Sequence, residues 1–308
     1  MNLKKIVPEI ITLGIILVGS LCYPLISYGL QDAPPLFFAA LRTFIAGISI
    51  FLLLPLFGQP RIPPRDMWKW ALLLSIPAVA FTYGTMFLSH ENSTMALLPI
   101  LENLQPFLSI FFAVIFLHER VSPAARIVLL FGTFGLLFFS FQSFTEGVGF
   151  DFRNAILAVL ASLGASGASI LVKWLGRRDI AVTLSAWQFI IGSIPLFVLS
   201  LLFEKNAPIH WTVSFVSILF FLALVGTAAT TVVWYKLIQT FDVSRLSVLF
   251  FLSPALALIV ANRLYAVPVS DMEWIGVIIV AGGVAVGLKI QSTAPTASPG
   301  THGKQNLD

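Results

Sequence analysis

Charged residues are scarce in this chain. Asp, Glu, Lys and Arg make up only 10% of the 308 residues, whereas 58% are hydrophobic and the mean hydropathy is +0.95. So few charges cannot cover the surface of a water-soluble protein. The composition therefore excludes a soluble protein and predicts a chain embedded in a lipid bilayer.

The residues that usually carry catalysis or bind metals are also missing from the apolar runs. Cys22 is the single cysteine, which excludes a disulfide within the chain. No Asp lies inside an apolar run and the four histidines lie at turns or in the tail, so no aspartyl pair or metal cluster is expected inside the membrane. The chain also lacks a phosphate-binding glycine loop and a basic stripe for nucleic acid. We therefore expect no enzyme activity, metal, cofactor or nucleic-acid partner. A membrane-embedded enzyme and a channel are the alternative function classes that stay open.

What the sequence does contain is a series of ten apolar runs. A helix needs roughly 20 apolar residues to cross ~30 Å of hydrocarbon. Ser270-Asp271-Met272-Glu273 also predicts a capping box at the start of the last run. The sequence thus predicts an all-α integral membrane protein with ten transmembrane helices near 9–30, 35–57, 68–89, 95–117, 123–142, 153–175, 182–203, 212–236, 243–264 and 270–290.

Loop charge predicts the orientation of these spans. With the N-terminus in the cytoplasm, fourteen Lys and Arg residues lie on the inner side and only Arg153, Lys205 and Arg263 on the outer side, as the positive-inside rule requires. Both termini are then cytoplasmic, which requires an even number of spans. The expected location is the plasma, or inner, cell membrane, which the chain crosses many times.

The chain reads as two copies of one unit. Leu104-Gln105-Pro106-Phe107 recurs 148 residues later as Leu252-Ser253-Pro254-Ala255, and an offset of 146 puts Leu41-Arg42 on Trp187-Gln188. Each copy holds an odd number of spans, so the two must lie upside down to each other. The predicted domains are a five-helix repeat at 9–142, an inverted five-helix repeat at 153–290 and a disordered cytoplasmic tail at 291–308.

Several short motifs carry a resemblance to a known family. Their order is Gly19-Ser20, Pro35, Ala40-Leu41-Arg42, Glu119, Trp234-Tyr235 and Pro254. From about residue 9 to 290, the chain resembles the EamA-type transporters of the drug/metabolite transporter superfamily. The resemblance implies a ten-helix, two-repeat exporter or exchanger of small metabolites, often amino acids or their relatives. Val267 departs from the pattern, because the second copy often keeps a glutamate there.

Arg42 is the strongest functional candidate, because a charge inside a span costs about 3 kcal/mol or more unless it faces a cavity or a partner. Arg42 and Glu102 each lie about eight residues, or ~12 Å, into spans that run from outside to inside, so they share a depth. Two interpretations stay open. Either Arg42 binds a substrate carboxylate while Glu102 receives an amine or a coupling proton, or the two form a permanent bridge between helices.

Polar and aromatic residues near the same depth complete the predicted substrate site. Glu102 begins a polar cluster in an otherwise apolar helix, and Gln188 is the repeat equivalent of Arg42. Aromatic residues are candidates for the walls of an amphipathic cavity. The predicted substrate-binding residues are Arg42, Glu102, Asn103, Gln105, Gln188, Tyr83, Trp187 and Trp234.

Two prolines and one glutamate are predicted to have roles other than substrate binding. Pro106 and Pro254 have no N–H to donate, so they are expected to bend their helices near mid-membrane and to act as a hinge. Glu119, beside two other polar residues at the inner end of the fourth span, is interpreted as a solvated turn residue.

Together these features predict a secondary transporter of small organic metabolites that works by alternating access, with export of amino acids or related compounds as the expected activity. A sugar- or nucleotide-type metabolite carrier of the same fold is an alternative. The expected partners are a small-molecule substrate and the lipid bilayer. A coupling proton, and the choice between a monomer and a weak homodimer, stay open.

Overall fold

The computed structural model describes residues 3–90, 104–145, 152–265 and 269–293, and every regular element within them is helical. Seven helices there, α1 to α3 and α6 to α9, are long and apolar enough to cross a membrane, which confirms the all-helical membrane class. In chain order the helices are α1 (Leu3–Gly29), α2 (Pro35–Phe57), α3 (Arg65–His90), α4 (Gln105–Leu117), α5 (Pro123–Thr145), α6 (Phe152–Leu175), α7 (Ala181–Phe203), α8 (Val213–Ile238), α9 (243–265) and α10 (Asp271–Thr293).

Local sequence explains several helix starts. α5 begins at Pro123, whose missing N–H costs nothing in a first turn, and the Ser122 hydroxyl accepts a hydrogen bond from the Ala125 N–H at 3.1 Å. At the start of α10 the Glu273 carboxylate accepts from the Ser270 N–H at 2.8 Å, and the Glu273 N–H donates to the Ser270 hydroxyl at 3.2 Å. The predicted capping box is therefore confirmed.

The start of α2 is capped by the end of α7. The Glu204 carboxylate, which directly follows α7, accepts hydrogen bonds from the backbone N–H groups of Leu36 at 2.7 Å and Phe37 at 2.9 Å. These amides belong to the first turn, where a helix cannot satisfy its own donors. A carboxylate is also favourable beside the positive end of a helix dipole.

The start of α7 is capped by the end of α2 in return. Gln59, two residues after α2, accepts with its side-chain oxygen from the N–H groups of Val182 at 2.8 Å and Thr183 at 3.1 Å. These two amides lie 146 residues after the amides that Glu204 caps, the same offset that aligns this part of the repeat. The two helices therefore run antiparallel and cap each other by equivalent contacts.

α5 and α10 form a second close pair from the two halves of the chain. A Cβ atom added at Gly135 would lie 2.2 Å from Val280 Cγ2, and one added at Gly283 would lie 2.3 Å from Phe131 Cβ. The two glycines are 148 residues apart and each admits the facing helix.

α3 and α8 share an irregularity at matching positions. Each changes from α-helix to π-helix near its centre, over Ile76–Gly84 in α3 and Leu224–Ala229 in α8, and the second segment starts 148 residues after the first. In each segment a threonine hydroxyl donates to the carbonyl five residues earlier, Thr82 to Pro77 at 2.7 Å and Thr227 to Leu222 at 2.8 Å. Such segments often occur at functional sites.

The packing of α10 on α5 generates a testable prediction. We expect Gly283→Ala to lower the free energy of unfolding by about 1–3 kcal/mol, because the new methyl group overlaps Phe131. The neighbouring Gly282 has no atom within 4 Å of an added Cβ, so Gly282→Ala provides a matched control that should be neutral or slightly stabilising. Thermal melts of the purified protein in detergent measure both changes, and equal melting temperatures for the two variants would contradict the packing.

Candidate functional site

A cavity of about 150 Å³ lies where the two halves of the chain meet. Helices from both halves contribute its wall: α1, α3 and α4 from the first, and α6, α7, α8 and α9 from the second. In the residues described, its wall is formed by Ile15, Ala78, Thr82, Tyr83, Gln105, Ala165, Ala168, Ser169, Gln188, Phe189, Thr230, Thr231, Trp234, Tyr235 and Phe250. We call this space the main cavity.

The wall of the main cavity combines apolar with polar side chains, and none of the described wall residues carries a charge. The Gln188 amide nitrogen donates to the Tyr235 hydroxyl at 3.2 Å, and both residues are buried. The Trp234 indole N–H donates to the Ser169 hydroxyl at 2.9 Å, which ties α8 to α6. Amides and hydroxyls that already hold one another in place are suited to a polar solute that offers both donors and acceptors.

A second cavity, also about 150 Å³, adjoins the first, and we call it the side cavity. Ile15, Gln105, Thr230 and Phe250 belong to both walls. The other described residues of its wall are Ile16, Gly19, Tyr23, Pro106, Gly226 and Ser253. Along α1, α8 and α9 these residues lie displaced from the main cavity in one common direction.

Gln105 belongs to the walls of both cavities and is the first residue of α4. Its carbonyl accepts a hydrogen bond from the Ser166 hydroxyl at 3.0 Å, and Ser166 in turn accepts from the Ser109 hydroxyl at 3.1 Å. These contacts fix the start of α4 against α6.

The two prolines predicted as hinges have different local settings. Pro106 lies in the first described turn of α4, where no hydrogen bond is lost. In α9 the α-helix gives way to a 3-10 segment over Val248–Phe251, just before Pro254. A break in regular α-helix therefore precedes Pro254, in the stretch that contains Phe250 of the main cavity.

Arg42 is 3% exposed and lies directly behind the wall of both cavities. Its Nε donates to the Thr227 hydroxyl at 2.8 Å and its Nη2 to the Gly226 carbonyl at 3.4 Å. The guanidinium carbon lies 5.1 Å from the ring centre of Tyr83 and 5.6 Å from that of Phe87, within cation–π range. Its Nη1 is buried and has no hydrogen-bond partner among the residues described.

The structure brings together four of the predicted substrate-binding residues around the main cavity: Gln105, Gln188, Tyr83 and Trp234. Arg42 contacts that group through Tyr83. Glu102 and Asn103 lie outside the described residues, and with them the predicted pairing of Arg42 and Glu102.

Trp187 lies away from both cavities. Its indole N–H donates to the Arg61 carbonyl at 2.8 Å, and its ring packs against Trp68 and Phe51 at centroid distances of 4.8 and 5.8 Å. Successive residues on a helix point about 100° apart. Gln188 therefore faces the main cavity while Trp187 faces α3 and the end of α2.

The prediction that Glu119 is a solvated turn residue is wrong, because its side chain is only 7% exposed. Its carboxylate accepts from Lys173 Nζ at 2.7 Å, from the N–H groups of Val243 at 3.1 Å and Ser244 at 2.9 Å, and from the Ser244 hydroxyl at 2.7 Å. It thereby caps the start of α9 and binds α6. We call this group of contacts, made by Glu119, Lys173, Val243 and Ser244, the Glu119 latch.

Opposing effects act on the pKa of the Glu119 carboxyl. Burial raises it, but the hydrogen bonds from Lys173 and Ser244 and the charge of Lys173 outweigh burial and hold the pKa below its usual value of 4.5. The Asp242 carboxylate also lies near the latch, 3.8 Å from Lys173 Nζ. The Glu119 carboxylate is therefore ionised at neutral pH.

Comparison with known proteins adds four findings. The sequence profile of the EamA-like transporter family matches residues 8–141 and again residues 153–288. The uncharacterised transporter YoaV of Bacillus subtilis is 25% identical over 258 residues, covering 80% of this chain and 86% of that protein. A protein of Escherichia coli described as a probable amino-acid metabolite efflux pump is 23% identical over 288 residues, 91% of this chain and 94% of that protein. A solved crystal structure at 20% identity superposes with a TM-score of 0.75, covering 93% of this chain and 99% of that one, which shows a shared fold.

The latch generates a prediction about pH. Because the pKa of Glu119 is lowered by folding, its stabilising contribution is present above 4.5 and is lost as the pH falls through the lower folded value. We expect the melting temperature of the parent protein in detergent to fall in this acid range. Glu119→Gln should melt at a lower temperature at neutral pH and lose less on acidification, so parallel acid profiles of the two proteins would contradict the assignment.

Proposed function

Because the chain belongs to the EamA-like transporter family, we propose that it is a secondary transporter that moves small organic metabolites across the cell membrane by alternating access. Export of amino acids or related compounds is the proposed activity. The name of the Escherichia coli relative, a probable amino-acid metabolite efflux pump, supports this direction and substrate class.

The observation that carries the proposal is the main cavity. It is lined by helices of both halves and combines amide, hydroxyl and aromatic groups inside a largely apolar helical bundle. A buried polar cavity between repeats, near the middle of the spans, is where secondary transporters bind substrate. A helical bundle that serves only as a structural anchor does not need such a cavity.

The volume of the main cavity sets the size of the proposed substrate. An apolar cavity of about 150 Å³ accommodates a benzene molecule, so a space of the same volume accepts a solute with a handful of heavy atoms. The adjoining side cavity adds a similar volume for a longer substrate. Small amino acids and related metabolites fit this range, whereas nucleotides exceed it.

We propose that the membrane topology is the one that loop charge favours: ten spans in two inverted repeats, with both termini in the cytoplasm of a plasma-membrane protein. The antiparallel pair of α2 and α7, with equivalent caps at both ends, supports the inversion. The 3-10 segment before Pro254 supports a hinge in α9, and Pro106 at the start of α4 is proposed as its counterpart.

Arg42 is proposed to attract the carboxylate of the substrate. It contacts Tyr83 of the main cavity and Gly226 of the side cavity, so its charge acts on both from behind the wall. We propose that Glu102 receives the amine or a coupling proton. The wall of amides and hydroxyls around Gln105 and Gln188 then orients the rest of the molecule.

Counterflow in proteoliposomes tests the proposed function. Labelled amino acids, their amine and amide analogues, and sugars are tested as substrates, and the flux should saturate and be stimulated by unlabelled substrate on the opposite side. Gln188→Ala should raise KM by about tenfold, since it removes a hydrogen bond worth about 1–1.5 kcal/mol. Trp187→Phe changes the adjacent residue that faces away from the cavity and should leave KM unchanged. Linear flux without counterflow, or equal effects of the two variants, would refute the proposal.

The role of Arg42 is tested by comparing a carboxylate substrate with its amide analogue. We expect Arg42→Gln to abolish the preference for the carboxylate, because the positive charge behind the wall is lost. Arg42→Lys retains the charge and should retain most of the preference, even if it transports more slowly. A preference that survives in Arg42→Gln would instead indicate that Arg42 only holds helices together.

A further inference from the structure

The Glu119 latch lies on one side of the main cavity along each helix that it joins. In α6, Ser169 belongs to the cavity wall and Lys173 lies one turn, or ~6 Å, nearer the end of the helix. In α9, Phe250 belongs to the wall and Ser244 lies nearer the start of the helix. In α4, Glu119 follows the last turn.

These helix ends are the ones that the proposed topology places at the cytoplasm. Other contacts bind the same ends together: Lys173 Nζ donates to the Phe241 carbonyl at 2.7 Å, and Arg178 donates to the Gln239 carbonyl. Arg245 of α9 forms an ion pair with Glu9 of α1. The ends of five helices, α1, α4, α6, α8 and α9, therefore converge between the main cavity and the cytoplasmic face.

The side cavity lies on the opposite side of the main cavity. Along α9 the order is Ser244 of the latch, Phe250 of both cavity walls and Ser253 of the side cavity wall. The internal space therefore extends from the main cavity towards the outer face. The latch lies on the opposite side, between the main cavity and the cytoplasmic face.

The two halves of the chain do not have equivalent groups at this point. The residue 148 positions after Glu119 is Val267, which lies outside the described residues. An aliphatic side chain can neither accept a hydrogen bond from a helix start nor pair with a lysine. The chain thus has a carboxylate for a latch in the first copy and none at the equivalent position of the second.

The position of the latch also makes it reversible. A charged pair buried at mid-membrane has no solvent to replace its partner. Glu119 and Lys173 lie at helix ends, and the Lys173 side chain is 19% exposed. When the helices part, cytoplasmic water can solvate the carboxylate, the ammonium group and the freed N–H groups of α9.

We propose that the Glu119 latch is the cytoplasmic gate of the carrier and that it opens once in each transport cycle. We also propose that the lack of a carboxylate at position 267, the sequence equivalent of Glu119, makes the outward-facing state the resting state. Glu119 is a positioning residue in this scheme, since it holds α4, α6 and α9 together and does not touch the substrate. The inference rests on the proposed function, because it treats the protein as a carrier. Opening of the gate, however, can be measured without any substrate.

The test is the sidedness of labelling of one cysteine in the main cavity. Cys22→Ser removes the single cysteine, and Ala165→Cys then places a reporter in the cavity wall. A membrane-impermeant thiol reagent is applied to right-side-out and to inside-out vesicles. With the latch intact, labelling should be faster from the outside. Adding Glu119→Gln weakens a charge-assisted contact and should raise the rate from the cytoplasmic side about fivefold or more.

Lysine variants and a matched glutamate control complete the test. Lys173→Met should act like Glu119→Gln, and Lys173→Arg should label like the parent, which keeps the test open if one variant does not fold. Glu204→Gln alters a carboxylate that also accepts two helix-start N–H groups, but at the outer face, and should not increase cytoplasmic labelling.

Three outcomes overturn the gate: faster labelling of the parent from the cytoplasm, no change on Glu119→Gln and Lys173→Met, or an equal change on Glu204→Gln. Counterflow is measured on the same proteins in parallel. If the parent does not transport but its sidedness shifts as expected, the proposed function fails and the gate stands.

Discussion

The mutual capping of α2 and α7 is the constraint on which the rest of the structure depends. Each helix start presents N–H groups that a bilayer cannot solvate, and each receives its acceptor from the end of the other helix, Glu204 in one case and Gln59 in the other. A cap contributes about 0.5–2 kcal/mol. A slip of one residue between the helices would break both caps together, so their register is fixed. That register holds Gln188 in the wall of the main cavity and Arg42 behind it.

Much of this arrangement could be predicted from the sequence because membrane helices carry simple signals. Apolar length predicted the class, an internal match at offsets of 146 and 148 predicted a pseudo-symmetric structure, and the mid-span polar residues Gln105 and Gln188 were expected at a cavity. Rotation about a helix axis was not predictable. α7 is apolar around most of its circumference, so its sequence does not show which of Trp187 and Gln188 faces inward.

The contacts that hold helix ends together were also beyond the sequence, for a different reason. Glu119 meets Ser244 across 125 positions and Glu204 meets Leu36 across 168. In the local sequence each glutamate is simply a polar residue at the end of an apolar run, a position that also suits a solvated turn. Only the approach of a separate helix start converts such a residue into a buried cap. A polar residue at the end of a span is therefore a candidate cap for a helix start that is distant in sequence.

The paired π-helical segments of α3 and α8 bear on the origin of the chain. The two widened turns start 148 positions apart, and a threonine bonded five residues back accompanies each one. This match indicates a trait of one ancestral unit that was present before the gene was duplicated. In the proposed inverted topology, that unit had to pair with an upside-down copy of itself to form the cavity. A protein that enters the membrane in both orientations can do so only while its loop charges are balanced. In the proposed topology, the excess of basic residues on the cytoplasmic side is then a later acquisition, which became favourable once fusion of the genes had assigned each half a single orientation.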